Sequence, residues 1–72
     1  MSYSFTRECD DGPAISPHYE LSVIYEVEQG QIAVRGVYVQ FAGSHTDARL
    51  GDRNYDREAI KAMCREHLEA VQ

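Results

Sequence analysis

Tyr19-Glu20-Leu21-Ser22-Val23-Ile24-Tyr25-Glu26-Val27-Glu28 is the stretch that decides the fold. Tyr19, Leu21, Val23, Tyr25 and Val27 take one face of an extended chain; Glu20, Ser22, Glu26 and Glu28 take the other, with Ile24 among them. This two-residue period belongs to an antiparallel strand with one side covered and the other facing water. Gln29-Gly30 follows, and a glycine between two β-rich runs marks a hairpin because it accepts the positive φ of a tight turn. The return strand, 31–41, changes phase. Ile32 and Val34 fit one face, Val37, Val39 and Phe41 fit the other, and Arg35-Gly36 stands at the change. Glycine inside a strand often marks a bulge, and one extra residue here brings all five apolar side chains to the same face.

Towards the N-terminus, Tyr3, Phe5 and Cys9 alternate along a strand over 3–9, which stops at the turn formers Asp10-Asp11-Gly12-Pro13. Ser16-Pro17 punctuates again, so 10–17 reads as a connection. Towards the C-terminus, 42–55 is polar and broken by Gly43 and Gly51, a long loop whose Leu50 is placed to pin it to the core. Ile60, Met63, Cys64, His67, Leu68 and Val71 then recur at helical spacing as one apolar stripe. Asp56 is the expected N-cap of a helix over 56–71, with Tyr55 and Ile60 spaced as a hydrophobic staple. The fold class that results is α+β: a three-stranded antiparallel sheet in β-β-β-α order, one C-terminal amphipathic helix packed on one face, and a single domain spanning 1–72.

Seventy-two residues with 43% hydrophobic and 26% charged side chains suit one small folded domain rather than a disordered chain. The net charge of −5 is uneven. Up to residue 28, Glu8, Asp10, Asp11, Glu20, Glu26 and Glu28 face Arg7 alone, whereas acids and bases balance beyond it. A negative field at one end of the sheet attracts basic partners and repels phosphate, so direct nucleic-acid binding is not expected. Met1 precedes polar Ser, Tyr and Ser rather than a signal sequence, no apolar run approaches the roughly 20 residues of a membrane span, and Cys9 and Cys64 read as free thiols. The expected location is the reducing cytoplasm.

Four residue groups invite chemistry. Cys64 and His67 share a helix face and could bind zinc with Cys9 and either His18 or His45, yet both cysteines fit core positions and no C-x-x-C is present. Ser44-His45-Thr46-Asp47 holds the residue types of a hydrolytic triad, but neighbours on one loop seldom converge as a triad must. Asp10-Asp11-Gly12 and the series Asp47, Asp52, Asp56 lack the alternating oxygen spacing of a calcium loop. Arg49, Arg53 and Arg57 form a basic series interleaved with acids. No catalytic residue, metal or cofactor is expected. The candidate binding residues are instead acidic: Glu20, Glu26 and Glu28 on the strand, with Glu8, Asp10 and Asp11 beside them. Ile24 and Tyr38 would form an apolar strip on the open side of the sheet, with Ala33 near them, where a partner or a second copy could dock.

In its short length, the run His18-Tyr19-Glu20-Leu21-Ser22-Val23-Ile24-Tyr25-Glu26-Val27, the Gln29-Gly30 hairpin and the lone C-terminal helix, the chain resembles the small acidic accessory proteins of phages and prophages, a group that includes anti-CRISPR proteins. The resemblance implies action without catalysis, by blocking the surface of a protein or nucleoprotein complex. The expectation is thus a protein-binding inhibitor or adaptor with a basic partner; the alternative is a homo-oligomerising accessory domain, a dimer in the simplest case, using the open apolar face.

Overall fold

The computed structural model describes residues 2–51 and 53–71. Strand β2 (Tyr19–Glu28) turns into β3 (Gln31–Phe41) through Gln29 and Gly30, whose φ values of 52° and 76° are both positive. Two positive central residues make a type I′ turn, whose twist matches that of the strands it joins. Glu28 faces Gln31 across the closed end, and pairing runs in step to Tyr25 opposite Val34. There it slips: Ile24 faces Gly36, which leaves Arg35 as the extra residue of a bulge. The bulge lies where the phase change predicts it. Beyond it Val37 and Val39 are buried with Leu21, Val23 and Tyr25, and Ile32, Val34 and Phe41 pack against that core.

β1 (Ser2–Cys9) pairs antiparallel with β2 from Ser2 opposite Glu26 to Cys9 opposite Tyr19. One expectation is corrected. The sheet has a fourth strand, β4 (Ala48–Arg49), inside the segment read as loop 42–55, with sheet order β1-β2-β3-β4. Two residues carry no periodicity, so tertiary pairing makes this strand: Arg49 faces Tyr38, Ala48 faces Val39, and Leu50 N–H donates to the Val37 carbonyl at 2.8 Å. Leu50 packs against the core, as its place in the sequence predicts.

Helix α1 (Arg57–Val71) starts where Asp56 Oδ1 accepts the N–H groups of Glu58 and Ala59, at 3.0 and 3.3 Å. These bonds satisfy donors that the first turn leaves without an intrahelical partner. Ile60 and Cys64 are its buried side chains, and Met63 packs beside them. Full burial of an isoleucine contributes about 1.5–3 kcal/mol. A 15-residue helix is about 22 Å long, whereas β2 and β3, at 10 and 11 residues, extend about 34 Å. The helix is therefore too short to cover the whole of one sheet face, and among the described residues the other face has no helix over it.

The helix side of β1 is aromatic. Tyr25, fully buried, stacks on Tyr3 with ring centroids 5.3 Å apart and meets Phe5 edge-on at 6.2 Å. His67 stacks on Phe5 at 5.1 Å, and its Nδ1 lies 2.7 Å from the Tyr25 hydroxyl. Burial raises the Tyr25 phenol above its ordinary pKa; with Nδ1 unprotonated, the hydroxyl donates this bond and the ring nitrogen accepts it. One aromatic cluster thus ties β1, β2 and α1 together.

Candidate functional site

The register sets out the open face of the sheet in rows. Glu8, Glu20 and Gln40 form the row at one end; Thr6, Ser22, Tyr38 and Arg49 form the next. Ser4, Ile24 and Gly36 follow, then Ser2, Glu26 and Ala33 near the hairpin. Glu20, Glu26 and Glu28 therefore share this face with Glu8, as the alternation predicts, but they are not equivalent.

Arg35, displaced by the bulge, reaches both acids of the hairpin end. Its Nη2 lies 2.7 Å from Glu28 Oε1 and 3.3 Å from Glu26 Oε2. These carboxylates raise the Arg35 pKa further, the Glu26 bond foremost. The charge of Glu26 and Glu28 is thus partly offset at home. Sequence reasoning missed this pairing of Arg35 with the two acids. The signal was present, since the bulge it identified is what turns Arg35 towards the acids across the hairpin.

Glu8 and Glu20 differ. They stand directly opposite each other on β1 and β2, both exposed, and among the described residues neither has an ion-pair partner. Like charges so placed repel. Together with His18, Gln40 and Ser44 they line an open groove of about 450 Å³ at this end of the sheet.

The loop acids also separate. Asp11 Oδ1 accepts the Tyr19 hydroxyl at 2.6 Å, a bond that raises the phenol's pKa well above its ordinary value. Tyr19 belongs to the helix side, where it packs against Phe41, so Asp11 anchors the 10–18 connection rather than joining the open face. Gly12 lets that loop close: a Cβ there would lie 2.7 Å from the Ser16 carbonyl oxygen. Asp10 is exposed.

The apolar strip is narrower than expected. Ile24 is 38% exposed, but the half-buried Tyr38 ring lies along the sheet over Gly36, where a Cβ would come within 2.8 Å of its Cε2. An aromatic ring covering a strand glycine shields backbone that would otherwise be bare. Ala33 is half-buried beside Glu26.

The other candidates fall apart in space. Cys64 is fully buried, and that burial raises its thiol pKa; His67 is engaged by Tyr25 and Phe5; Cys9 lies at the far end of β1. Among the described residues no three His, Cys, Asp or Glu side chains converge to hold a metal. Ser44 Oγ donates to the Thr46 carbonyl at 3.1 Å and accepts from its N–H, while His45 and Asp47 are exposed. Asp56 caps α1, and Asp52 lies outside the described residues. In the basic series, Arg49 donates to the Arg35 carbonyl at 3.2 Å, which places it at the β4 edge of the open face, and Arg53 and Arg57 are exposed. Among the described residues no helix is long and apolar enough to cross a membrane. No family model, curated protein or solved structure matches the chain.

Proposed function

We propose that this chain is a non-catalytic protein-binding module, an inhibitor or adaptor that lays the open face of its sheet on a basic surface of a protein or nucleoprotein complex. The observation that carries this reading is the direct opposition of Glu8 and Glu20, neither of which has an ion-pair partner among the described residues. Folding alone gains nothing from that arrangement, whereas a lysine or arginine of a partner would relieve the repulsion and gain two carboxylates. Ser4, Thr6, Ser22 and Ile24 continue the face without a further charge, and Tyr38 lies over Gly36 beside them. Blocking by such a face matches the mode that the phage-type resemblance implies.

The test is capture of partners from the source cell's lysate across a salt series, with the unmodified chain, with E8Q/E20Q and with E26Q/E28Q. Exposed charge pairs contribute about 0.2–1 kcal/mol each and are screened by salt. Retention of the partner should therefore fall several-fold with salt and with E8Q/E20Q, and less with E26Q/E28Q. Binding that ignores both salt and E8Q/E20Q would refute the proposal, and recovery of the chain alone at every salt concentration would favour the homo-oligomeric alternative through Ile24.

A further inference from the structure

The two edges of this sheet are built differently. On one side, β3 carries the Arg35 bulge and is partly covered by β4. On the other, β1 presents eight residues in unbroken register with β2 and contains no proline, glycine or lysine. Among the described residues no strand pairs with its outer side. A long, regular edge offers a row of backbone donors and acceptors to another strand, and edges are commonly blunted by the features that β1 lacks. Its one charge on the helix side, Arg7, is drawn towards Glu66 of α1 at 3.9 Å. The helix packs chiefly on β2 and β3, so Tyr3 and Phe5 remain only half-buried.

We propose that a second copy of this chain pairs antiparallel along β1, about a two-fold axis at Phe5, to make one continuous eight-stranded sheet with both helices on the same side. The occupant follows from how β1 complements itself. Residues opposite each other in an antiparallel pair face the same side of the sheet. With the axis at Phe5, the two Phe5 rings meet on the helix side and complete each other's burial. Tyr3 comes to lie opposite Arg7 of the second copy, a cation–π pairing. On the open side Ser4 lies opposite Thr6, and Glu8 faces Ser2, so no like charges oppose. An axis at Thr6 would part the two Phe5 rings, and one at Ser4 would shorten the overlap. The pairing uses the edge of β1, leaves Glu8 and Glu20 on the open face, and does not depend on how that face functions.

Seven paired residues a side bury less than a standard interface, so dissociation falls in the range of about 1 μM to 1 mM. The experiment is sedimentation equilibrium across that range on the full chain and two double variants, S4K/T6K and S4K/T6E. Ser4 and Thr6 are exposed, and circular dichroism checks that each variant keeps the fold. The unmodified chain should move from 8.2 kDa towards twice that mass. S4K/T6K sets lysine against lysine twice and should weaken the dimer at least tenfold. S4K/T6E sets lysine against glutamate twice in the Phe5-centred register and should dimerise at least as tightly as the unmodified chain. A chain monomeric throughout overturns β1 pairing, and an S4K/T6K dimer of unchanged strength overturns the Phe5-centred register, the one in which that variant sets lysine against lysine twice. Equal effects in both variants overturn the register, because an axis at Ser4 sets lysine against lysine at position 4 in both, and an axis at Thr6 sets like charges together at position 6 and lysine against Glu8 in both.

Discussion

Replacing Tyr25 by phenylalanine isolates one bond in the centre of the molecule. The ring contacts to Tyr3 and Phe5 survive the change; the hydroxyl's bond with His67 Nδ1 at 2.7 Å does not. A net hydrogen bond contributes about 0.5–1.5 kcal/mol. His67 is only half-buried, so water can satisfy Nδ1 and no further desolvation penalty is added. Y25F should therefore cost about 1 kcal/mol, which lowers Tm by about 4–8 °C in a domain of this size. H67L is expected to cost more. It leaves the Tyr25 hydroxyl buried without a partner, about 1–3 kcal/mol, and removes the stacking on Phe5, about 0.5–1.5 kcal/mol. The sum is a large share of the roughly 4–11 kcal/mol that 72 residues ordinarily provide. In Y25F/H67L the orphaned hydroxyl is gone, so the double variant should cost less than the two singles together by about 1 kcal/mol or more. Urea unfolding followed by circular dichroism, at one pH and with matched slopes, measures all three. A neutral or stabilising Y25F, or single effects that add within about 0.5 kcal/mol, would refute the bond and the cluster built on it.

Other changes test other joints of the fold. Asp56→Ala removes the acceptor for the Glu58 and Ala59 N–H groups and should lower stability by about 1 kcal/mol in the same unfolding assay. Gln29→Asn should raise it by a few tenths to about 1 kcal/mol, because asparagine tolerates the positive φ of a type I′ turn better than glutamine does; a loss instead would mean the turn is of another type. Stability should also fall in alkali. Cys64 and Tyr25 are raised by burial above ordinary values of 9.0 and 10.0, and Tyr19 is raised chiefly by its bond to Asp11. An acid whose pKa is raised on folding favours the folded state fully below its unfolded value, and that contribution is lost as pH rises towards and through the folded one. Tm should hold up to about pH 9 and decline steadily above it, and D11N/Y19F should flatten the decline.

What was legible in the sequence was whatever repeats with a period or follows a local rule. The alternation of β2, the glycine at the hairpin, the helical stripe from Ile60 and the Asp56 cap each need only neighbours in the chain to be recognised. The bulge was legible for a stronger reason: two half-strands out of phase admit few other ways to bury Ile32, Val34, Val37, Val39 and Phe41 together. β4 was illegible, since Ala48 and Arg49 become a strand only because β3 stands beside them. The posture of Tyr38 was also hidden. Alternation puts its Cβ on the open side, but the empty space above Gly36, two residues back, is what lays the ring down.

The acids show most clearly where pattern stops and geometry begins. From spacing alone Glu20, Glu26 and Glu28 are alike, and Glu8, Asp10 and Asp11 merely add to them. In the folded chain the hairpin end carries its own counter-charge, because one extra residue in β3 brings Arg35 across to Glu26 and Glu28. Asp11 is turned to the helix side by Tyr19. At the other end, Glu8 and Glu20 stand opposite each other on neighbouring strands, with no ion-pair partner among the described residues. If acidity served solubility alone, charge scattered over the outer face of α1 would do it without setting two carboxylates opposite each other. The hairpin end, where the same crowding is relieved by Arg35, demonstrates that this fold can supply a cation to its own acids. Its lack at Glu8 and Glu20 is the physical reason to look for the missing positive charge on another molecule.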